Sequence, residues 1–292
     1  MSIKSILCIF NGPKSELNAV STALQLAKSY RAQVRFLHVS PDPTKALVIY
    51  GDGFVASAAI MDAVEKDNRE RLQQAREQVV FYTEKYGVPL DGAVESAHHA
   101  SAEFVHVVGE LEGEVEHEGR VSDLIIVGRD VSDAFAVYDT AVIAALFNTG
   151  RPVLVMPVTG DANPARWDDR VVSLAWDGSL EASRAFFNAL PLIEKAGKLH
   201  LLIVREHGKV VDSEAVQGIE RYVHAHGFQA QVTVMDRQDR EIGELLLTQA
   251  MELRSNLLVM GAYSHSRFRE MILGGATKTM LEKADLPLLL SH

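Results

Sequence analysis

A single cysteine, Cys8, stands in a chain of 292 residues. That excludes a disulfide framework and any metal site built from thiolates alone. Cys8 lies in the apolar run Ser5-Ile6-Leu7-Cys8-Ile9-Phe10, where a buried, inert thiol is expected. No stretch approaches the roughly 18 consecutive apolar residues of a membrane span. The first residues hold Lys4 and then a short apolar run, too brief for a signal-peptide core. Basic charge is scarce too, with 29 Lys and Arg against 39 Asp and Glu and a net charge of −10. A surface of that sign repels phosphate backbones and anionic lipids, which argues against nucleic-acid and membrane functions. The expectation is a reduced, cytoplasmic chain with apolar material for one large core or two smaller ones.

Catalytic signatures are missing as well. There is no Gly-x-Ser-x-Gly elbow, Walker A sequence or Gly-x-Gly-x-x-Gly fingerprint. No local arrangement pairs a nucleophile with its base, so no catalytic residue is assigned. His98-His99 with Glu95 and Glu103, and His224 with His226, lack the spacing that sets two ligands on one helical face. Surface histidines are expected there, and no metal is required. The run Glu110, Glu112, Glu114, Glu116 and Glu118 is expected to be a solvated helix end and turn, broken by Gly113 and Gly119.

What is present is a repeat. Ile6-Leu7-Cys8-Ile9-Phe10 runs into Asn11-Gly12-Pro13, and Val171-Val172-Ser173-Leu174-Ala175-Trp176 runs into Asp177-Gly178-Ser179. Each strand candidate precedes an amphipathic helix, over 17–30 and 180–196, and then another strand, over 34–39 and 199–204. Residues 123–128 match 256–261, and 151–156 match 286–290. Near-continuous apolar strands alternating with helices predict parallel sheets covered on both faces. Right-handed crossovers make each half a doubly wound α/β domain of five strands. The polar stretch 159–168, broken by Gly160 and Pro164, divides a domain over 1–158 from one over 169–292. Residues 40–61, with Pro41, Pro43, Gly51 and Gly53, read as a loop inserted before a long helix reaching Tyr86. That loop is either a lid or contact segment or a passive connection.

Ligands of open α/β sheets bind outside the carboxyl ends of the strands, where the strand order reverses. In the second half the residues there are Asp177, then Arg205-Glu206-His207, then Gly261. Gly274 and Gly275 open a helix whose free N–H groups suit a phosphate, and Arg267 and Arg269 add charge-assisted contacts. Two plainer readings stand beside this. The glycines also suit a tight loop-to-helix turn, and Asp177-Gly178-Ser179 before Leu180 is a helix-capping signature. His207 and His265 share that edge, as ligand contacts or a weak metal site.

These residues resemble the universal stress protein domain, and the resemblance covers the chain as a tandem pair. Nucleotide-binding members of that family carry Gly-x2-Gly-x9-Gly-Ser/Thr after the fourth strand. Here Gly261 and Gly274 match, Ser264 stands at the second glycine, Gly275 stands at the Ser/Thr, and Thr277 offers a hydroxyl two residues on. The resemblance implies a strand order of 3-2-1-4-5 and halves packed about a pseudo-twofold, with 153–156 and 288–290 near the interface. It implies ATP or AMP as ligand, with Asp177 on the base edge and the main chain of Val204 and Arg205 flanking the base. Gly261, Ser264, Gly274 and Gly275 would shape the ribose–phosphate loop. In the first half Asn11 replaces the aspartate, and Val131, Ala141 and Val142 replace Ser264, Gly274 and Gly275. Asp130, Asp133 and Asp139 would repel a triphosphate there, so that half is expected to be a structural or regulatory partner.

Three functions stay open. One is a stress-response protein whose C-terminal half binds an adenine nucleotide as a regulatory ligand. Another is a scaffold using the same fold for protein or small-ligand contacts. The third is a slow nucleotide hydrolase, for which Glu206 and His265 are the candidate water-positioning groups. A homo-oligomer beyond the internal pairing is compatible with each.

Overall fold

The computed structural model describes residues 2–11, 16–45, 48–50, 53–55, 58–91, 99–129, 140–157, 170–205, 213–263 and 275–292. The first half runs β1 (Ser5–Ile9), α1 (Leu17–Tyr30), β2 (Gln33–Ser40), a 3₁₀ turn (Pro43–Lys45), β3 (Val48–Tyr50), β4 (Gly53–Val55), α2 (Ala58–Tyr86), β5 (Ser101–Val108), α3 (Leu111–Arg120), β6 (Leu124–Gly128), α4 (Thr140–Asn148) and β7 (Val153–Met156). The second runs β8 (Arg170–Ala175), α5 (Leu180–Ile193), β9 (Ala196–Arg205), α6 (Ser213–Ala225), β10 (Ala230–Asp236), α7 (Ile242–Glu252), β11 (Leu257–Gly261), α8 (Gly275–Lys283) and β12 (Leu288–Ser291). The expected linker, 159–168, lies outside the described residues.

The apolar runs become the central strands for the anticipated reason. Every residue of β6, β7 and β12 is buried, as parallel strands covered on both faces require. Each half has the order 3-2-1-4-5, as β5-β2-β1-β6-β7 and β10-β9-β8-β11-β12. The two sheets are continuous: β12 pairs with β7 antiparallel, Leu288 to Val155, Leu289 to Leu154 and Leu290 to Val153, giving one ten-stranded sheet. One core lies beneath α1, α2, α5 and α6, with Phe10, Phe36 and Phe186 fully enclosed. The other lies beneath α3, α4, α7 and α8. Cys8 belongs to the first, and burial pushes its thiol well above the ordinary value.

Side chains and helix ends tie the halves together as well. Tyr30 Oη donates to Pro191 O at 2.6 Å, and Lys195 Nζ reaches Ser29 O at 3.2 Å. Arg129 is 6% exposed and donates to Leu281 O at 2.9 Å, capping the last turn of α8 from the other half.

Several elements differ from the sequence reading. The third strands, β5 and β10, are sheet edges with mixed burial, so no apolar run announces them. Within the range read as loop, β3 pairs antiparallel with β4, Val48 to Val55, Ile49 to Phe54 and Tyr50 to Gly53. The long helix begins at Ala58, inside the range read as insertion. The glutamate run is helix from Glu112 to Glu118, with Glu110 extended just ahead of α3, Gly113 and Gly119 inside it and Glu118 bound to Arg35. Among the described residues no helix is long and apolar enough to cross a membrane.

The seam makes a prediction. Residues 169–292 produced alone leave the apolar edge of β12 without its partner, and such an edge recruits another. That fragment should run as a dimer or aggregate in size-exclusion chromatography. A well-folded monomer would contradict the pairing.

Candidate functional site

The carboxyl edge of the second half is built from β8 and its two neighbours. Ala175 pairs with Leu202 of β9, and Leu174 pairs with Val259 of β11. Two residues past Ala175, Asp177 therefore stands between the end of β9, at Val204 and Arg205, and the end of β11, at Gly261. The chain leaves β8 toward α5 on one face of the sheet, whereas the helix after β11, α8, packs on the other. A crevice at the point of strand-order reversal follows from that geometry.

Asp177 is exposed, and its Oδ1 accepts from Ser179 N at 2.9 Å. Gly178 takes φ 78°, and Ser179 caps α5 by accepting from Ala182 N at 3.1 Å. The capping reading is thus realised by Ser179, with Asp177 shaping the turn ahead of it. Its Oδ2 makes no described hydrogen bond. The Arg205 guanidinium pairs with Asp236, and its carbonyl oxygen accepts from Arg237 N at 2.9 Å.

Gly261 answers to packing. A Cβ there would lie 2.6 Å from Ala182 N and 2.7 Å from Glu181 C, in the first turn of α5. Gly128 occupies the matching place in the first half, where a Cβ would lie 2.8 Å from Glu16 Cα. Both fourth strands end in glycine because a helix N-terminus crosses them at contact distance.

Past Gly261 the chain turns through Ala262, which is buried, and Tyr263, at φ 61°. Burial pushes the Tyr263 hydroxyl up to about 12, and it has no hydrogen-bond partner among the described residues. Ser264, His265, Arg267, Arg269 and Gly274 lie outside the described residues, as do Glu206 and His207. Gly275 opens α8, and a Cβ there would meet Glu241 Oε2 at an ordinary 3.7 Å, so packing does not demand a glycine. The Glu241 carboxylate stands at the end of α8 whose free N–H groups and dipole attract anions. Thr277 is 3% exposed, and its Oγ1 accepts from Tyr263 N at 3.4 Å. It therefore braces the turn after β11 from inside.

In the first half Asn11 holds the place of Asp177. Val39 N donates to Asn11 Oδ1 at 3.3 Å, tying the end of β1 to β2, and Asn11 N donates to Glu16 Oε2 at 2.7 Å. Ala141 and Val142 are 3% and 4% exposed in the first turn of α4. Val131, Asp130, Asp133 and Asp139 lie outside the described residues.

A polar cluster that the sequence reading missed lies between β2 and β5. His38 Nδ1 meets Phe10 O at 3.1 Å, His106 Nε2 meets Ser40 Oγ at 3.0 Å, and the rings are 5.7 Å apart. The register sets His38 opposite His106, and by the same register Ile203 and Val234 hold these places in the second half. The signal was two histidines, each near the end of a strand, but β5 had not been delimited. Burial holds His38 below its usual range, outweighing the Phe10 carbonyl, with His106 and Arg71 adding to the depression. Burial lowers His106 too.

Both imidazoles are thus protonated more readily in the unfolded chain. Stability from keeping them neutral is present above about pH 6.5 and is lost as pH falls through their depressed folded values. Urea midpoints at pH 7.5 and 5 should diverge less in His38→Leu than in the parent. An unchanged divergence would acquit the cluster.

Among the described residues no group of three His, Cys, Asp or Glu is arranged to hold a metal ion. His226 meets the rings of Phe186 and Tyr222 edge-on, at 5.7 and 4.9 Å between centroids.

Residues 2–130 match the model of the universal stress protein family. The chain is also similar to a universal stress protein from Archaeoglobus fulgidus DSM 4304, with 17% identity over 98% of this chain and 97% of that one, at a TM-score of 0.70. A functionally unknown protein from Pseudomonas aeruginosa PAO1 matches with 14% identity over 99% and 92%, at a TM-score of 0.60. These likenesses show the fold of the whole chain. None of the curated proteins matches it.

Proposed function

We propose, from the premise that residues 2–130 belong to the universal stress protein family and that the rest of the chain repeats their fold, a nucleotide-responsive stress protein. Its C-terminal half, residues 169–292, binds ATP or a related adenine nucleotide as a regulatory ligand, and residues 1–158 act as its structural partner. The observation that carries this is the convergence of Asp177, the Val204–Arg205 main chain and Gly261 on one crevice, with the first turn of α8 beside it. In this reading Asp177 Oδ2 accepts from the base, Val204 and Arg205 flank it, and Gly261, Ser264, Gly274 and Gly275 shape the phosphate loop. Arg267 and Arg269 neutralise phosphate charge, and the bracing by Thr277 holds the loop's first turn. The protein acts in the cytoplasm and carries no catalytic residue of its own.

Glu241 supports a second reading. A carboxylate already near the N-terminus of α8 competes with a phosphate, which suits a scaffold that binds protein or another small ligand instead.

Mass spectrometry of ligand released from the purified protein, followed by calorimetry with ATP, tests the choice. Asp177→Ala should weaken ATP by about 10- to 100-fold, the worth of one hydrogen bond to a charged group. Gly274→Val should weaken it as well, and Glu241→Gln should tighten it. An empty protein with no thermal shift at millimolar ATP would favour the scaffold.

A further inference from the structure

The two ends of the seam between β7 and β12 differ in chemistry although the fold relates them by a pseudo-twofold. Continuing the register beyond Leu290 and Val153 sets Ser291 and His292 beside Pro152 and Arg151. Continuing it the other way sets Pro287 and Leu286 beside Met156 and Pro157. That second end is filled, with Met156 6% and Leu286 9% exposed. The first end opens instead into a cleft of about 610 Å³ lined by Arg151, Arg184, Phe187, Tyr222, Ser291 and His292 among others. The volume lies within the range of small-molecule sites.

Among the described residues no acidic side chain lines this cleft, in a protein of net charge −10. Arg184, on α5, is exposed and makes no hydrogen bond or ion pair among the described residues. Arg151 spends Nε and Nη2 on Arg120 O, at 3.3 and 2.9 Å, which leaves Nη1 uncommitted. Ser291 Oγ accepts from Asn188 Nδ2 at 3.1 Å and keeps its own proton to donate. The His292 ring is held by Ala262 O at 3.0 Å and by Phe147 at 4.6 Å between centroids. Phe187 and Tyr222 are each 41% exposed, large apolar rings left partly bare beside two unpaired cations.

The geometry points to a second ligand site here, for a small phosphate ester carrying a flat apolar ring. Two guanidinium groups with free donors match a dianionic phosphoryl group in charge and in planar geometry. The aromatic rings supply the surface on which the flat part of the ligand rests. Because the corresponding end of the seam is closed by Met156 and Leu286, the cleft belongs to the particular residues of this chain and not to the strand pairing itself. It lies on the α5–α6 face beside the seam and uses neither Asp177 nor α8.

Calorimetry of the full chain with phenyl phosphate as probe tests the site. Binding is expected, with inorganic phosphate weaker and phenol silent. Arg184→Gln and Arg151→Gln should each weaken phenyl phosphate by about tenfold, the order of one charge-assisted hydrogen bond. Arg184 makes no described contact, so its variant should keep the parent's melting midpoint. Asp177→Ala should bind the probe as the parent does, which separates this site from the nucleotide crevice. No heat at millimolar phenyl phosphate, unaltered binding in Arg184→Gln, or loss in Asp177→Ala would each overturn the inference. Inorganic phosphate binding as tightly as phenyl phosphate would overturn the role given to the rings.

Discussion

Replacing Leu289 by lysine should cost about 3–5 kcal/mol, the scale of a buried charge with no partner. Leu289 is fully buried in β12 and lies opposite Leu154, equally buried in β7. Directly opposed residues in an antiparallel pair have Cβ atoms roughly 4.5–5.5 Å apart, so the ammonium would sit among the central side chains of the whole sheet. A domain holds only about 5–15 kcal/mol in all, so the urea midpoint should fall steeply or folding fail. Adding Leu154→Asp tests the register itself. The new carboxylate faces the ammonium across the seam, and the double variant should recover part of what either single change loses. Equal additive losses would mean that the two positions do not face each other.

The second large effect falls on Gly261, whose added methyl group would press into the main chain of Glu181 and Ala182. Backbone cannot swing aside as a side chain can, so α5 must shift, at about 1–3 kcal/mol. Gly128→Ala should behave alike, because Glu16 Cα blocks it. Gly275→Ala is the control: its nearest neighbour is the end of the Glu241 side chain, 3.7 Å off, and it should lie within about 0.5 kcal/mol of the parent. Melting without nucleotide distinguishes this from a binding role. Were Gly261→Ala as stable as the parent, the close approach of α5 would be refuted and the glycine left to the ligand alone.

The halves were legible because their central strands are buried on both sides, and a strand such as Leu124–Gly128 leaves no polar position to blur it. The outer strands β5 and β10 escaped for the opposite reason, since an edge with one wet flank alternates irregularly. α2 opens at Ala58, five residues past Gly53, so the glycines and prolines ahead of it extended the loop reading into its first turn. At the crevice, Asp177 and Gly261 could be named from their places after strands. The reason for Gly261 could not, because the helix it accommodates follows a strand remote in sequence and only the sheet order brings the two together. Likewise nothing in the sequence announced that Thr277 accepts from Tyr263 N, because the two lie on different elements that only the fold brings together.

One consequence of the antiparallel junction concerns how the molecule meets its surroundings. Each half carries its loops at the ends of its own strands, and the strands of one half run head to tail against those of the other. The carboxyl edges marked by Asp177 and Asn11 accordingly open at opposite poles. A body engaged at either pole leaves its counterpart unobstructed, and whatever passes between them must travel through the shared sheet.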